Sequence, residues 1–321
     1  MDACQICGNE KQNRLHYPRE LMLGLGDEFE YMECANCGCL QITQIPADLA
    51  RYYADSYYSF APPKLRNYPA WLLRLRAART RVRLGSPTML GELGAAFSRE
   101  QEHFDWLRRG KVSLSDAILD VGCGAGKHLL KLQREGFCNL QGVDPFIEQD
   151  IRYGNGVTIL KRQLSEIDRQ FDFVMFNHSF EHMPNPLETL HDVRRILQKT
   201  GRLMLRVPVA DSYAHRKYGT HWAAWDAPRH MFLYTVKSIT VLAEQAGLAL
   251  YDVAYDSTRR QFVTSELYLR NVPPQDRPLC YPGQAKALFT KTQWKQLQEF
   301  ANQLNARRDG DTACFFLKPV D

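Results

Sequence analysis

The sequence has no long hydrophobic run, no internal repeat and no low-complexity tract. Its apolar segments are all shorter than the roughly 18 residues that a membrane-spanning helix needs, and its first residues lack the pattern of a signal peptide. We therefore expect a cytoplasmic protein without a transmembrane segment. The composition, with 45% hydrophobic and 24% charged residues, is that of a globular protein and excludes a mostly disordered chain.

The chain also lacks a strong excess of either charge. Its 41 Lys and Arg residues against 36 Asp and Glu give a net charge of +5, too small to indicate nucleic-acid binding by itself. The first 50 residues contain three basic and eight acidic residues, which gives −5, whereas residues 51–110 contain eleven and five, which gives +6. Because an acidic segment is a poor phosphate binder, nucleic acid is not the partner that we expect.

Cysteine spacing is a strong local signal near the start of the sequence. The chain has nine cysteines, an odd number that argues against a complete disulfide framework. Two pairs have the spacing Cys-x-x-Cys and are each followed by glycine: Cys4 with Cys7, and Cys34 with Cys37. Four thiolates in two tight turns are typical ligands of a closed, tetrahedral, structural zinc site. We predict a zinc ribbon over residues 1–46; the alternative is four unrelated thiols or a redox pair.

An aromatic and arginine-rich region follows over residues 47–112, which we interpret as a helical lid and linker. Its arginines are concentrated in a predicted helix over residues 71–84. Such a helix could contact a membrane surface peripherally or attract an anionic substrate. The interpretation that we prefer is a solvated helix that packs its leucines on the main domain. The sequence gives no indication of an oligomeric state.

From residue 113 onward strands and helices alternate, a pattern typical of an α/β fold with a parallel sheet covered on both faces. Seven strands are predicted, with an insertion over about residues 257–311 between the last two. The predicted strands cover residues 118–121, 140–143, 157–160, 171–176, 202–207, 249–255 and 312–318.

A glycine-rich turn follows the first of these strands and precedes a helix. It reads Asp120-Val121-Gly122-Cys123-Gly124-Ala125-Gly126. Its spacing is neither that of a dinucleotide fold nor that of a P-loop. Asp120 places a carboxylate beside the ligand, which suits a cation better than a pyrophosphate. Asp144, at the end of the second strand, can accept hydrogen bonds from both hydroxyls of a ribose.

This pattern resembles the class I S-adenosylmethionine-dependent methyltransferases from about residue 115 to 255 and in the final strand. Residues 119–126 match that family's cofactor loop. The resemblance implies a Rossmann-like, seven-stranded sheet with an antiparallel last strand, S-adenosylmethionine as cofactor, and methyl transfer as the activity. The cofactor-binding residues that it implies are Asp120, Gly122, Cys123, Gly124 and Gly126 in the loop, Asp144 and Pro145 after the second strand, and Asn177 after the fourth.

In that family the end of the fourth strand faces the reacting sulfonium. Here the segment reads Asn177-His178-Ser179-Phe180-Glu181-His182-Met183-Pro184, without the paired prolines common in methyltransferases of nucleic-acid bases. Glu-His followed by proline is similar to small-molecule methyltransferases. Because histidine titrates near neutral pH, we predict that His182 is the base that removes the acceptor's proton and that Glu181 orients it or binds a sugar hydroxyl. The alternative is that His182 only caps or packs the turn.

The loop after the fifth strand is dense in aromatic and charged residues. Its Trp-Asp-x-Pro-Arg-His string looks like that of methyltransferases from cell-surface polysaccharide and natural-product sugar pathways, whose lids also contain paired tyrosines. The alternative is a hydrophobic plug with Asp226 and Arg229 as an internal ion pair. The predicted substrate-binding residues are His178, Trp222, Trp225, Asp226, Arg229 and His230, with Tyr57 and Tyr58 of the lid.

Together these patterns predict an enzyme that moves a methyl group from S-adenosylmethionine to a small-molecule acceptor, a sugar or a nucleotide-linked sugar, with oxygen as the expected nucleophile. One alternative is an RNA base methyltransferase, because some of those enzymes carry an N-terminal zinc module. The other is a non-catalytic scaffold that keeps the cofactor fold, which the intact Asp120, Asp144 and glycine loop argue against.

Overall fold

The computed structural model describes residues 3–53, 63, 68–86, 103–272 and 288–320. Its smaller sheet is antiparallel and has four short strands. Three of them come from the cysteine-containing segment, and the fourth comes from a point about 190 residues further along the chain. The strands, in sheet order, are β1 (Arg14–His16), β2 (Tyr31–Glu33), β3 (Leu40–Ile42) and β10 (Phe232–Leu233).

The small sheet is not separate from the rest of the molecule. Strand β10 pairs with β3 through Phe232 opposite Gln41. Tyr31 and Leu40 are fully buried and belong to the same apolar core as Leu205 and Phe315 of the large sheet. The cysteine-containing segment therefore shares both a sheet and a core with the C-terminal half of the chain.

The larger sheet has eight strands in the described residues. It contains all seven predicted strands and an additional two-residue strand at one edge. The expected count of seven was wrong, because Ile151 and Arg152 are too few to produce a recognisable pattern. The strands are β4 (Ile118–Val121), β5 (Leu140–Val143), β6 (Ile151–Arg152), β7 (Thr158–Leu160), β8 (Phe171–Asn177), β9 (Leu197–Pro208), β11 (Leu248–Tyr255) and β12 (Thr312–Pro319).

The strand order is β11-β12-β9-β8-β4-β5-β7-β6. The five strands from β9 to β7 in this order run parallel to one another. Strand β12 lies antiparallel between β9 and β11, and β6 pairs antiparallel with β7 at the other edge. The antiparallel last strand agrees with the expectation from the sequence. The carboxyl ends of β4, β5, β8 and β9 consequently meet at one edge of the sheet, which is where parallel sheets bind their ligands.

Helices cover the sheet where the sequence has one apolar face. In α3 (Lys127–Arg134), for example, Leu129, Leu130 and Leu132 are buried. Helix α6 (Val236–Gln245) begins at a capping box in which the Thr235 hydroxyl accepts from the Ser238 N–H. None of the helices in the described residues is long and apolar enough to cross a membrane. The helices are α1 (Ala70–Arg83), α2 (His103–Arg109), α3 (Lys127–Arg134), α4 (Pro186–Ile196), α5 (Tyr213–Tyr218), α6 (Val236–Gln245), α7 (Arg260–Leu269) and α8 (Lys291–Ala306).

The arginine-rich helix α1 packs on the main domain. Its Ala78 and Thr80 are buried, Arg79 forms a close ion pair with Glu135, and the Arg83 guanidinium lies 4.8 Å from the centre of the Phe104 ring. The helix thus contacts the main domain as expected, but through Ala78, Thr80 and Arg83 and not chiefly through its leucines, since Leu75 is exposed; contact with a membrane surface stays a prediction. Much of the predicted lid, including Tyr57 and Tyr58, lies outside the described residues.

Candidate functional site

The turn between β4 and α3 has a backbone that requires glycine. Gly122, Gly124 and Gly126 have φ angles of +70°, +54° and +70°, in the left-handed region that side chains other than hydrogen disfavour. A Cβ on Gly122 would lie 2.5 Å from the Cβ of Ser179, and one on Gly126 would lie 2.5 Å from Cδ1 of Ile159. The turn thus leaves no room for larger residues at these two positions.

Two buried carboxyl groups lie beside this turn. Asp144 accepts hydrogen bonds from the backbone N–H groups of Gly124, at 2.8 Å, and Phe146, at 2.9 Å. Burial raises the pKa of Asp144, and burial together with the charge of Asp144 raises the pKa of Asp120 to about 8. A positively charged ligand would lower the pKa of Asp120 again, so the pair suits a ligand with a cationic group.

The other residues predicted at the cofactor lie around the same edge. The sulfur of Cys123 packs against Gly142, so closely that a Cβ added at position 142 would clash with it. Asn177, at the end of β8, accepts a hydrogen bond from Arg206 at 3.2 Å, and Pro145 directly follows Asp144. The sequence reasoning missed Phe146, whose side chain is 80% exposed; an aromatic residue directly after an Asp-Pro pair was the signal that could have identified it.

A cavity of about 210 Å³ opens at the same edge of the sheet, beyond the ends of β8 and β9. Histidines, carboxylates and arginines all contribute to its lining. Arg206 and Asp256 form an ion pair of 2.7 Å that the sequence reasoning did not anticipate, although an arginine inside an otherwise apolar strand was a usable signal. The lining residues that bear on function are His178, His182, His230, Arg206, Asp226 and Asp256.

His182 lies beside the cavity in a turn from Phe180 to His182. Its Nδ1 lies 2.8 Å from the carbonyl oxygen of Arg229. Burial, with the charge of His230 as the second cause, lowers the pKa of His182 to about 4. The expectation that His182 titrates near neutral pH is therefore corrected: burial disfavours the charged ring and holds its pKa below the usual range.

Glu181 is fully buried behind the histidines. Its Oε1 lies 3.3 Å from Nδ1 of His178 and 3.9 Å from Nε2 of His230, and burial raises the pKa of Glu181 to about 8. His178 itself is held by a close contact with Arg206 and has a φ of +56°. Glu181 thus contacts the histidine cluster rather than the open part of the cavity.

The tryptophans and arginine of the loop after β9 are inaccessible. Trp222, Trp225 and Arg229 are fully buried, Trp222 donates to Asp311 at 3.1 Å, and Arg229 donates to both oxygens of Asp226. Although burial raises the pKa of Asp226, the adjacent Arg229 guanidinium holds it well below its usual range. These positions match the alternative interpretation, a plug with an internal ion pair, and do not support direct stacking of the two indoles on a substrate.

The cysteine-containing segment reaches this loop through buried polar contacts. Glu20 is fully buried and accepts a hydrogen bond from Arg229 at 3.0 Å. The Tyr31 hydroxyl donates to the carbonyl of His230 at 2.7 Å. No local sequence pattern distinguishes Glu20 from the other acidic residues around it, so its role could not be predicted.

The four predicted metal ligands come together at the connection between β2 and β3, which contains Cys34 and Cys37. The sulfurs of Cys4 and Cys37 are 3.7 Å apart and those of Cys7 and Cys34 are 3.5 Å apart, and all four lie within 4.8 Å of one another. Tetrahedral zinc with bonds of about 2.3 Å would separate its sulfurs by about 3.8 Å. The cluster therefore fits a zinc ion.

Comparison with known proteins shows the family of this chain. Residues 73–253 match the family described as "Methyltransferase domain", which is more than half of the 321 residues. The chain belongs to this family of methyltransferase domains.

Individual relatives share smaller parts of the chain. The tRNA U34 carboxymethyltransferase of Alteromonas mediterranea is 28% identical over 46% of this chain and 50% of its own length. The EEF1A lysine methyltransferase 2 of Danio rerio is 34% identical over 26% of this chain and 36% of its own length. The chain thus spans at most half the length of these two curated relatives. A solved structure of coclaurine N-methyltransferase with N-methylheliamine and SAH aligns with a TM-score of 0.41 and 13% identity over 78% of this chain and 79% of that one.

Proposed function

We propose that this enzyme transfers a methyl group from S-adenosylmethionine to a hydroxyl oxygen of a small, polar acceptor, such as a sugar or a nucleotide-linked sugar of a polysaccharide or natural-product pathway. One observation carries the proposal: the cavity beyond β8 and β9 is small and lined by both carboxylates and cationic or imidazole groups. Hydroxyl groups both donate and accept hydrogen bonds, so a lining of mixed donors and acceptors suits them.

For the cofactor we assign the residues at the glycine turn. Asp120 faces the positively charged methionine end, the glycines let that end approach the backbone, and Asp144 receives the ribose hydroxyls. The exposed Phe146 ring, next to Asp144, covers the adenine. The raised pKa of Asp120 and the steric limits at Gly122 and Gly126 support this assignment.

When bound, S-adenosylmethionine supplies a methyl group made electrophilic by its positively charged sulfur. The residues at the ends of β8 and β9 would hold the acceptor in line with that methyl group, and positioning of this kind provides most of the rate. The acceptor oxygen would take the methyl carbon as the carbon–sulfur bond broke, and its proton would pass to His182. His182 is suited to receive a proton at Nε2, because its Nδ1 is engaged with the Arg229 carbonyl.

The direct test is a panel of acceptors with a radiolabelled methyl donor. Nucleotide-linked sugars, free sugars and total tRNA are incubated separately with the full chain, and transfer of label is counted. Label on one or more sugar compounds, with none on RNA, supports the proposal. Label on RNA alone would refute it.

The role of His182 is tested on whichever acceptor is labelled. His182→Ala should lower turnover by at least about tenfold, since general base catalysis contributes roughly a hundred- to ten-thousand-fold, while affinity for S-adenosylmethionine stays unchanged. His191→Ala, which removes an exposed histidine of α4, is the matched control. Unchanged turnover in His182→Ala would remove this residue from the reaction.

A second candidate acceptor is RNA. The similarity to a tRNA U34 carboxymethyltransferase over 46% of the chain favours it, and the arginines of α1 could attract phosphates. The net charge of −5 in the first 50 residues opposes it. Binding of tRNA that weakens steeply as salt rises from about 50 to 200 mM would support this candidate.

We also infer that the four-cysteine cluster holds one structural zinc ion. The sulfur separations of 3.5 and 3.7 Å support this. The tight turn around each pair also supports it: the Gly8 N–H donates to the Cys4 carbonyl, and the Gly38 N–H donates to the Cys34 carbonyl. Because four thiolates leave no open coordination position, this ion has no part in the chemistry. Metal analysis of the purified protein should find about one zinc per chain.

A further inference from the structure

Glu181, His182 and His230 bring three possible metal-ligand atoms close together beside the cavity. A carboxylate oxygen of Glu181, one ring nitrogen of His182 and one of His230 all lie within 4.8 Å of one another. Glu181 is 0% exposed, and neither of its oxygens has a hydrogen-bond partner within the part of the chain that the structure describes. Nδ1 of His178 lies 3.3 Å from Oε1 of Glu181, but a buried carboxylate without a full hydrogen bond is costly, so this group favours either a proton or a cation.

The hydrogen bonds of the two histidines determine which ring nitrogen is free. Nδ1 of His182 lies 2.8 Å from the Arg229 carbonyl, and Nδ1 of His230 lies 2.8 Å from the Ala224 carbonyl. Because a carbonyl only accepts, each ring carries its proton on Nδ1 and has a lone pair at Nε2. Histidines that bind metals donate their other ring N–H to backbone carbonyls in this way.

The surroundings of His230 add negative charge at the same point. Its Nε2 lies 3.9 Å from Oε1 of Glu181 and 3.7 Å from Oδ2 of Asp226. Asp226 is already paired with Arg229, so the carboxylate without a hydrogen-bond partner that faces this lone pair is that of Glu181, and a cation between the two would be favourable. The rings of His182 and His230 are in edge-to-face contact, with centroids 4.8 Å apart, so both imidazoles lie at this point of the cavity.

We propose that Glu181, His182 and His230 form a binding site for one divalent metal cation of the kind that takes mixed imidazole and carboxylate ligands, such as Mn²⁺, Fe²⁺ or Co²⁺. Three protein ligands leave coordination positions open for an oxygen of the acceptor. The site differs in chemistry from the four-cysteine cluster, because four thiolates select zinc, whereas a set of imidazole and carboxylate ligands also accepts Mn²⁺ and Fe²⁺.

The role of this cation rests on the proposed function, whereas its binding does not. A hydroxyl coordinated to a divalent cation has a lowered pKa, so the acceptor would lose its proton to water in the cavity and then take the methyl group at the same oxygen. In the loaded enzyme His182 would hold the cation instead of receiving the proton.

The test is a titration of the zinc-loaded full chain with Mn²⁺, followed by electron paramagnetic resonance of the free ion. We expect about one Mn²⁺ per chain, with nitrogen modulation from two imidazoles in the spin-echo spectrum of the bound ion. Glu181→Gln and His230→Ala should each weaken binding by at least about tenfold. His191→Ala, which removes an exposed side chain of α4, should leave the affinity for Mn²⁺ unchanged. Binding of S-adenosylmethionine by each variant shows that it is folded.

Three results would overturn the proposal. They are a native protein that binds no Mn²⁺, a bound ion without imidazole nitrogen signals, and an affinity that survives both Glu181→Gln and His230→Ala. A protein that methylates its acceptor equally well after chelation, and binds no Mn²⁺, would leave the proposed function standing without the metal. A protein that binds Mn²⁺ but methylates no sugar would refute the proposed acceptor and leave the metal site.

Discussion

The two ends of the candidate site are built in opposite ways. At the cofactor end, Asp120, the three glycines and Asp144 lie within 25 consecutive residues, and the polar contact that joins them, the 2.8 Å bond from the Gly124 N–H to Asp144, lies within that stretch. At the acceptor end, His182 depends on the carbonyl of Arg229, and Arg229 in turn depends on Glu20, which is 209 positions away in the chain.

This difference has a physical consequence. A turn whose shape comes from local backbone geometry remains intact when distant parts of the molecule are perturbed. A cluster of buried charges remains intact only while every partner is present, because each uncompensated charge is costly. We therefore expect that damage to the cysteine-containing segment affects acceptor chemistry more than cofactor binding.

The largest expected effect is that of Cys4→Ser. Removal of one thiolate should release the metal, since folding of such modules is coupled to their ion, and displace Glu20 and Tyr31 from the loop that carries Arg229 and His230. Turnover should fall by more than about a hundredfold while S-adenosylmethionine still binds. Metal analysis, calorimetry and a turnover assay measure the three quantities.

The control for that substitution is Cys138→Ser, because Cys138 is an exposed free cysteine. It should change neither metal content nor turnover. If Cys4→Ser kept full activity in a folded, zinc-free protein, the acceptor end would not depend on the N-terminal segment and the contrast between the two ends would disappear.

Arg229→Met is expected to have the second-largest effect. It leaves the buried carboxylates of Glu20 and Asp226 without their shared cation, which should lower the free energy of unfolding by about 3–5 kcal/mol. Chemical denaturation measures this change. Arg216→Met is the matched control: Arg216 pairs with Asp309 through two bonds of 2.7 and 2.8 Å at the surface, so its loss should cost at most about 1 kcal/mol. Equal effects of the two substitutions would contradict a special role for the buried pair.

Gly122→Ala should damage the cofactor end alone. The new methyl group would lie 2.5 Å from Ser179 at a φ of +70°, a strain of about 1–3 kcal/mol, which corresponds to S-adenosylmethionine binding weakened by about ten- to a hundredfold. Gly154→Ala, where nothing lies within 4 Å, should bind normally. Calorimetric affinities would contradict the assignment of this turn if the two variants behaved alike.

The smallest expected effect is a pH dependence of cofactor binding. Burial and the charge of Asp144 raise the pKa of Asp120 to about 8, so the carboxyl is mostly protonated at pH 7 in the free protein. A cationic ligand favours the carboxylate, and binding below pH 8 should therefore release a proton. Affinity should rise between pH 6 and 8, by at most about tenfold per pH unit.

Calorimetry in buffers of different ionisation enthalpy detects the released proton, after allowance for the titration of the ligand's own amino group. Asp120→Asn should abolish the release and flatten the dependence. An affinity that increases toward low pH would show that Asp120 does not face the cation.

The sequence predicted the cofactor end well because its information is local. A strand, a turn with glycines at fixed intervals and a helix follow one another without interruption, and the structure contains them as expected from Ile118 to Arg134. It was less informative on the loop after β9. Trp222 and Trp225 looked like surfaces for a substrate, yet they are buried, since composition alone does not show which side of a loop faces the core.

The order of residues along the chain thus determined the α/β class, the glycine turn and the paired cysteines, because hydrophobic period, backbone permissiveness and ligand spacing act over a few neighbouring residues. Only the tertiary structure decided that Glu20 compensates Arg229, that β10 completes the small sheet, and that Glu181, His182 and His230 converge beside the cavity. These arrangements arise from desolvation and charge pairing between distant segments, and such energies exist only after the chain has folded.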